Sequence, residues 1–425
     1  MFGGLKLVNQ LVDSKKLNSL VEPCLPKLKS GKARSIKKFK DLLRGFCAGA
    51  ECLDDMNQLG KDDGFSASCS DQTYSAKSFG DYLRSFDSSI FWEFNNKLAE
   101  FSWSLRESFD DSKTVVFDFD STLNRQYGTK MQGVERNYKK YSGLWTMNVF
   151  DELGFCYYHG VKPGATHTSN NISIIIANLC RTLKEKFKNK RIRVRADGGY
   201  CNQEFINACF MDNLEYVVRF VHRDNFSEVV SQVHGWRTCK QEKLIRFYDA
   251  RECEIGVTNY RMGKCRQRSR IVIIRAKKPL DSGYQDSLVE SPDNYDYFSF
   301  ATNIPESLMD AEEVIRFYRK RGNAENFIKE AKYGFDLKHY PCQKLTANKA
   351  YGIIAAFSQS IMRFIALVEN REKPHFSKAI RNKYIFSACQ VVRRGKEVFF
   401  RFNHQVYEVI KRLMRKISII QFGFT

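Results

Sequence analysis

Strands and helices alternate through the middle of this chain, and this alternation restricts the fold more than any other feature of the sequence. Residues 114–120 are rich in β-branched and aromatic residues, and residues 191–197 alternate arginine with apolar residues, so both predict strands. The spacing of apolar residues predicts an amphipathic helix at 172–188 between them. A helix at 203–212 and a strand at 215–220 follow. This order of elements predicts an α/β core.

The segments on either side differ in character, and each change predicts a boundary. Residues 1–108 predict a helical N-terminal domain, and residues 109–222 hold the first part of the core. Residues 223–304 predict a β-rich insertion. Its predicted strands are 245–248, 270–277 and 296–301. Residues 305–425 predict a further core helix followed by a helical C-terminal region.

The charge of the chain indicates its partner. Lysine and arginine number 69 against 48 aspartates and glutamates, a formal net charge of +21, so a polyanion is favoured over a membrane surface. The longest apolar run, residues 351–368, is interrupted by Ser358, Gln359, Ser360 and Arg363. A spanning helix needs about 18 uninterrupted apolar residues, so we expect no membrane partner.

The cysteines and the N-terminus indicate the compartment. The chain has 13 cysteines without a C-x-x-C pair, and its first residues contain no long apolar stretch of the kind found in secretion signals. We therefore expect reduced thiols, no structural zinc site and a cytoplasmic protein.

Two regions are candidates for contact with nucleic acid. Residues 1–108 are either a reader of DNA ends or a helical cap on the next domain. The insertion carries a run of cations that is either a phosphate track or a soluble edge-strand surface. This run consists of Arg261, Lys264, Arg266, Arg268, Arg270, Arg275, Lys277 and Lys278. Trp236, in the same insertion, is a packed residue or a platform for an extruded base, and we favour packing.

One segment near the C-terminal third combines a carboxylate with two cations and a phenol. Tyr318, Arg321, Glu325 and Lys332 are spaced three, four and seven residues apart. On one continuous α-helix their directions fall within an arc of about 60°. The residues Asp310 and Glu313 predict a capping box at the start of this helix, and Gly322 predicts a bend or break within it. Such a face is suited to a metal ion beside a phosphate, or is simply a salt-bridged surface.

Two further acids follow predicted strands. Asp120 ends the strand at 114–120 and is followed by Ser-Thr, and Asp197 ends the strand at 191–197 and is followed by Gly-Gly-Tyr. Strand-end carboxylates in an α/β sheet are well placed for a ligand site, although an Asp-Gly pair is also a common turn. With Glu325 they form a set of three carboxylates that suits two Mg²⁺ ions, with Mn²⁺ as a substitute.

These motifs resemble those of bacterial insertion-sequence transposases of the DDE type. Tyr318, Arg321, Glu325 and Lys332 match the Y-x2-R-x3-E-x6-K signature of one subgroup. The segment F-D-F-D-S-T is similar to the strand that carries the first acid in that family, and R-A-D-G-G-Y to the strand that carries the second. The turn V-K-P-G-A-T-H-T and the segment R-G-N-A-E-N-F-I-K-E are also similar, so the resemblance extends over nearly the whole chain.

The resemblance implies a ribonuclease H-like catalytic core interrupted by the β-rich insertion. It implies that Asp120, Asp197 and Glu325 hold the metals and that Tyr318, Arg321 and Lys332 contact phosphates of DNA ends. With Arg266, Arg268 and Arg270 of the basic run, these are the predicted DNA-binding residues. The implied reaction is metal-dependent cleavage at the terminal repeats of an element, followed by joining of the 3′-hydroxyl ends to target DNA. The implied assembly is a homodimer in a synaptic complex, in a bacterial cell and on its nucleoid.

Several alternatives remain at this point. Asp118 projects from the same strand face as Asp120, and it is either a supporting group or a structural acid paired with an arginine. The motif D-F-D-S-T also fits haloacid dehalogenase-like phosphatases, in which Asp118 would be the nucleophile. That reading gives no role to the residues from Tyr318 to Lys332. His167 is predicted to stabilise a turn rather than to act in the site. A catalytically silent, DNA-binding descendant of a transposase is the remaining alternative.

Overall fold

A computed structural model gives the fold, and it divides the chain into two compact units. It describes residues 1–70, 72–109, 112–127, 130–137, 140–222, 225–239, 253–278, 294–395 and 397–422, with side chains through 418. The first unit comprises Met1–Asp111, Ser121–Thr166 and Ala324–Thr425. The second comprises Ser112–Asp120 and His167–Asn323.

The strands predicted at 114–120, 191–197 and 215–220 and the helices predicted at 172–188 and 203–212 are present, the first helix in two segments, and further strands lie within residues 135–163 and 390–401. The helices are α1 (Leu5–Val12), α2 (Lys15–Val21), α3 (Lys32–Cys47), α4 (Asp55–Leu59), α5 (Asp63–Ser68), α6 (Ala76–Arg84), α7 (Phe91–Arg106), α8 (Ile172–Thr182), α9 (Lys184–Phe187), α10 (Gln203–Met211), α11 (Phe226–Ser231), α12 (Ala311–Arg319), α13 (Gly322–Gly334), α14 (Leu345–Glu369), α15 (Ser377–Ile380) and α16 (His404–Phe422). The strands are β1 (Thr114–Arg125), β2 (Glu135–Arg136), β3 (Ser142–Asp151), β4 (Cys156–Pro163), β5 (Arg191–Ala196), β6 (Glu215–Arg219), β7 (Trp236–Thr238), β8 (Cys253–Tyr260), β9 (Ser269–Lys277), β10 (Tyr295–Thr302), β11 (Gln390–Arg394) and β12 (Glu397–Arg401).

The first unit is built around α14. This helix packs against α3, α7 and β4, and the Phe357 ring contacts the rings of Phe39, Phe94 and Phe101 at centroid distances of 5.6, 5.7 and 5.3 Å. Within the described residues, α14 is the one helix long and apolar enough to cross a membrane, but its apolar window is 100% buried within the structure. Burial on all sides is expected of a helix that is apolar around its whole circumference.

The polar residues that interrupt α14 are satisfied inside the first unit. Ser360 Oγ lies 3.0 Å from Ser102 Oγ and accepts a hydrogen bond from the Cys156 amide at 3.2 Å. Gln359 donates to the Phe327 carbonyl at 2.9 Å. Buried polar groups with partners cost little, so these residues fix the register of α14 against its neighbours.

The second unit contains a mixed sheet with the order β1-β5-β6-β10-β9-β8-β7. The strands β1, β5 and β6 pair in parallel, and β10, β9, β8 and β7 continue the sheet in antiparallel fashion. The predicted strands at 270–277 and 296–301 correspond to β9 and β10, whereas the strand predicted at 245–248 lies outside the described residues. The fold is therefore mixed α/β, as the alternation predicts.

The helix that carries the four signature positions is not continuous. The helix α12 begins with the predicted capping box of Asp310 and Glu313 and ends at Arg319, and α13 begins at Gly322. The single-helix arc predicted for the four residues is therefore wrong, because Tyr318 belongs to α12, Arg321 to the connection, and Glu325 and Lys332 to α13. The apolar face of α12 packs on Val217 and Phe300 of the sheet in the second unit.

Candidate active site

The register of the parallel strands aligns two of the predicted catalytic acids. Phe119 of β1 is opposite Ala196 of β5, so the next residues in register are Asp120 and Asp197. Adjacent strands lie about 4.8 Å apart, and residues in register project from the same face. Asp120 is 7% exposed and Asp197 is partly buried. The two carboxylates therefore lie side by side at the carboxyl ends of parallel strands, where ligand sites of open α/β sheets occur.

Asp118 is a structural acid in a buried ion pair. Its two carboxylate oxygens each accept a hydrogen bond of 2.7 Å, one from Arg195 Nε and one from Arg195 Nη2. Arg195 also donates to the Phe317 carbonyl at 2.8 Å and lies over the Phe317 ring at 4.9 Å. Arg195 thus ties β1 to the last turn of α12. A carboxylate held in this way and 1% exposed cannot attack a substrate, so the phosphatase reading of Asp118 is disfavoured.

Arg321 is paired with the first catalytic acid. Its Nη2 lies 2.9 Å from Oδ2 of Asp120, and the residue is 8% exposed. Burial opposes the charged form of Arg321, but Asp120, with smaller contributions from Tyr318 and Asp197, raises the pKa of its guanidinium above the ordinary value. The site therefore holds a permanent positive charge beside its carboxylates.

Tyr318 adds a neutral hydrogen-bond donor to the same group. Its ring packs on the Phe300 ring at 4.7 Å. Burial raises the pKa of the Tyr318 phenol to about 12, Arg321 opposes this rise and Asp197 adds to it. The phenol consequently stays protonated at neutral pH, and its hydroxyl is able to donate to a phosphate oxygen.

The loop after β5 explains the two glycines that follow Asp197. The Oδ1 atom of Asp197 accepts a hydrogen bond of 2.8 Å from the Gly199 amide and so caps the turn Gly198–Tyr200. A Cβ atom on Gly198 would lie only 2.6 Å from Val221 Cγ2, so a side chain there would force the Val221 side chain to move. Asp197 is therefore a turn cap as well as a predicted ligand.

Glu325 and Lys332 belong to the first unit, on α13. Glu325 is exposed in the first turn of the helix, where the helix dipole favours a carboxylate. Lys332, seven residues later and thus on the same helix face, is partly buried and donates from Nζ to Thr122 Oγ1. Thr122 is two residues beyond Asp120 along β1.

The carboxylates suit a hard divalent ion by their chemistry. Asp120 and Asp197 present oxygen ligands from neighbouring strand ends, as Mg²⁺ prefers. Within the described part of the chain, however, no group of three or more His, Cys, Asp or Glu side chains is arranged to hold a metal ion. In this structure Oδ2 of Asp120 is paired with the Arg321 guanidinium.

The three arginines predicted to bind DNA in the insertion differ in position. Arg266 and Arg268 are exposed. Arg270 is only 9% exposed and donates to the Met309 carbonyl at 2.7 Å. A phosphate contact by Arg270 stays a prediction; in this structure β9 is buried on both faces and the Arg270 guanidinium supports the loop before α12.

Three other polar or aromatic residues have defined positions in the second unit. His167 Nδ1 lies 3.0 Å from Ser169 Oγ and accepts from the Ser169 amide, which is the predicted turn-stabilising role. Trp236 is packed beneath the Arg275 guanidinium at 4.1 Å, also as predicted. Arg219, the last residue of β6, was missed by sequence reasoning, although a cation at the end of a strand next to the Asp197 strand was an available signal.

Comparisons with known proteins identify the family of the chain. The family described as Transposase DDE domain group 1 matches residues 2–421. No curated protein matches. A solved synaptic complex of piggyBac transposase with hairpin DNA is similar at 10% identity and a TM-score of 0.44, covering 98% of this chain and 82% of that chain. The Mos1 transposase paired-end complex with the left transposon end is similar at 16% identity and a TM-score of 0.18, covering 38% of this chain and 56% of that chain.

The two structural similarities are too weak to carry an argument, and the assignment rests on the family match. That match spans almost the whole sequence. The chain belongs to the DDE transposase family.

Proposed function

We propose that this protein binds the terminal repeats of a bacterial insertion element, cleaves the DNA at the element ends and joins the freed 3′-hydroxyls to target DNA. The observation that carries the proposal is the row of Asp120 and Asp197 at the carboxyl ends of β1 and β5, with Arg321 and Tyr318 beside it. A catalytic core of the ribonuclease H type and a homodimeric synaptic complex belong to the same proposal.

The acidic residues of the site and its cationic and phenolic residues have different roles. Asp120 and Asp197, with Glu325, would hold the divalent ions, which supply an activated water or hydroxyl and stabilise the leaving oxygen when bound. Arg321 and the protonated Tyr318 orient a phosphate, because a guanidinium and a phenol both donate to its oxygens. Lys332 is positioned by Thr122 and adds a cation on the Glu325 face of α13. Arg321 would exchange Asp120 for a phosphate oxygen when DNA binds.

An excision assay in cells tests the proposal. The gene is expressed beside a plasmid that carries a marker between the DNA flanks of the gene. The wild type is compared with Glu325→Gln and with Glu372→Gln, an exposed glutamate of the same unit that removes the same charge. We expect excision by the wild type and Glu372→Gln and none by Glu325→Gln. Excision by Glu325→Gln would refute the catalytic assignment.

The same assay separates the silent descendant from the active enzyme. A protein that shifts the flanking DNA in a gel but never excises it would be a DNA-binding descendant. We favour the active enzyme, because Asp120, Asp197 and Glu325 are all present and the first two are aligned in register.

A further inference from the structure

A third residue continues the row of the two carboxylates. Ala196 of β5 is opposite Val218 of β6, so the residue in register with Asp197 is Arg219. On its other side Arg219 is opposite Phe300 of β10. Residues in register project from one face of the sheet, so Arg219 projects from the same face as Asp120 and Asp197.

Side-chain contacts agree with this register. A Cβ atom built on Gly198 would lie 3.9 Å from Cδ of Arg219, so the arginine stem runs beside the loop that follows Asp197. Its guanidinium lies 4.6 Å from the centre of the Phe298 ring. The charge of Arg219 also acts on Tyr318, as do those of Arg321 and Asp197. Arg219 therefore belongs to the same electrostatic group as the signature residues.

The charge of Arg219 is available to a ligand. The residue is exposed, and within the described residues no carboxylate forms an ion pair with it. The arginine of the family signature is different, because Arg321 is 8% exposed and paired with Asp120. The cation–π contact with the Phe298 ring uses none of the N–H donors of the Arg219 guanidinium, so they can donate hydrogen bonds to a ligand.

We propose that Arg219 binds one backbone phosphate of the DNA strand that enters the site, next to the phosphate that is cleaved. This inference rests on the proposed function and adds a contact outside the Tyr-Arg-Glu-Lys signature. A guanidinium at an exposed edge is suited to this role, since it donates two parallel hydrogen bonds to phosphate oxygens. Adjacent strand positions are about 4.8 Å apart, so Arg219 lies about one strand spacing from Asp197, on the side away from Asp120.

The experiment combines a charge variant with neutral phosphates. Duplexes that tile the DNA flanking the gene are made with a single uncharged methylphosphonate at successive positions. Binding and cleavage are measured for the wild type, Arg219→Gln, Arg219→Lys and Lys188→Gln. Lys188 is an exposed cation shortly before β5 begins, at the amino end of the strand and away from Asp197. Lys188→Gln is therefore the control that removes one positive charge elsewhere.

We expect Arg219→Gln to lose about ten- to hundredfold in affinity or cleavage, which is the size of one charge-assisted hydrogen-bonded contact. One methylphosphonate position should weaken the wild type by a similar factor and leave Arg219→Gln unchanged. The slope of log affinity against log salt concentration should become smaller in Arg219→Gln by the amount expected for about one phosphate contact. It should stay nearly unchanged in Arg219→Lys and Lys188→Gln.

Three results would overturn the inference. If the wild type cleaves the flanking DNA and Arg219→Gln behaves like Lys188→Gln, or if every methylphosphonate weakens both proteins equally, Arg219 contacts no specific phosphate. If the wild type binds no flanking duplex more tightly than an unrelated one, the proposed function fails and this inference fails with it.

Discussion

The buried pair of Asp118 and Arg195 allows a sharp test of how the site is held together. Their side chains are 1% and 3% exposed, and two hydrogen bonds of 2.7 Å join them. Removing one partner of such a pair leaves an uncompensated buried charge and costs about 3–5 kcal/mol. Arg195→Met also loses the bond to the Phe317 carbonyl, worth about 1 kcal/mol. We therefore expect a loss of about 4 kcal/mol or more in the second unit.

Amide hydrogen exchange measures this loss where it occurs. Peptides covering 112–120 and 191–197 report the opening of β1 and β5, and 4 kcal/mol corresponds to about a thousandfold faster exchange. The matched control is Arg193→Met, two residues earlier on β5, because the Arg193 pair with Glu215 is 14% and 21% exposed and should contribute about 1 kcal/mol or less.

A double variant separates the ion pair from general damage. Asp118→Leu with Arg195→Met replaces both charges by apolar groups, which is often much less costly than leaving one charge unpaired. The double variant should therefore exchange more slowly than Arg195→Met alone. The reasoning would be refuted if Arg195→Met exchanged at the wild-type rate, or if the double variant were less protected than Arg195→Met.

Three further predictions concern two acids and a lysine of the site and a glycine of α14. Asp118→Asn should retain more strand-cleavage activity than Asp120→Asn at a temperature where both are folded, and the reverse order would move the first ligand to Asp118. Lys332→Ala should weaken binding of end DNA in a gel-shift assay while the affinity for Mn²⁺, followed by electron paramagnetic resonance, changes less; equal losses would contradict a phosphate role. Gly352→Ala should destabilise the first unit by about 1–3 kcal/mol in urea unfolding, because a Cβ atom there would lie 2.3 Å from His159 Nε2, and an unchanged midpoint would show that His159 moves freely.

Much of the sheet could be predicted because its signals are local. The run at 114–120 and the alternation at 191–197 each predict a strand. The acid at the end of each strand predicts that the site lies at the carboxyl ends of the strands. The capping box of Asp310 and Glu313 was equally local and is confirmed. Residues whose role depends only on near neighbours in the chain are therefore accessible to sequence reasoning.

Features that depend on distant contacts could not be predicted in the same way. Arg270 has the sequence context of a surface cation. In the structure both faces of β9 are buried, and the Arg270 guanidinium donates to the Met309 carbonyl. The partner of Asp118 is 77 residues away, and sequence alone left two roles open. A cation that ends the strand after Asp197 is visible in the sequence, but the alignment of Arg219 with Asp197 follows only from the register of β5 and β6.

The discontinuity of the first unit has a consequence for synthesis of the protein. Gln10 on α1 donates hydrogen bonds to the Met414 carbonyl and Ser418 Oγ on α16, across 404 and 408 residues of chain. Contacts of such high sequence separation form slowly, and they cannot form until the last helix has left the ribosome. The partners α3, α7 and β4 likewise wait for α14, which is made only after residue 344. An incomplete chain leaves this unit unclosed, so truncated products should be cleared or aggregate.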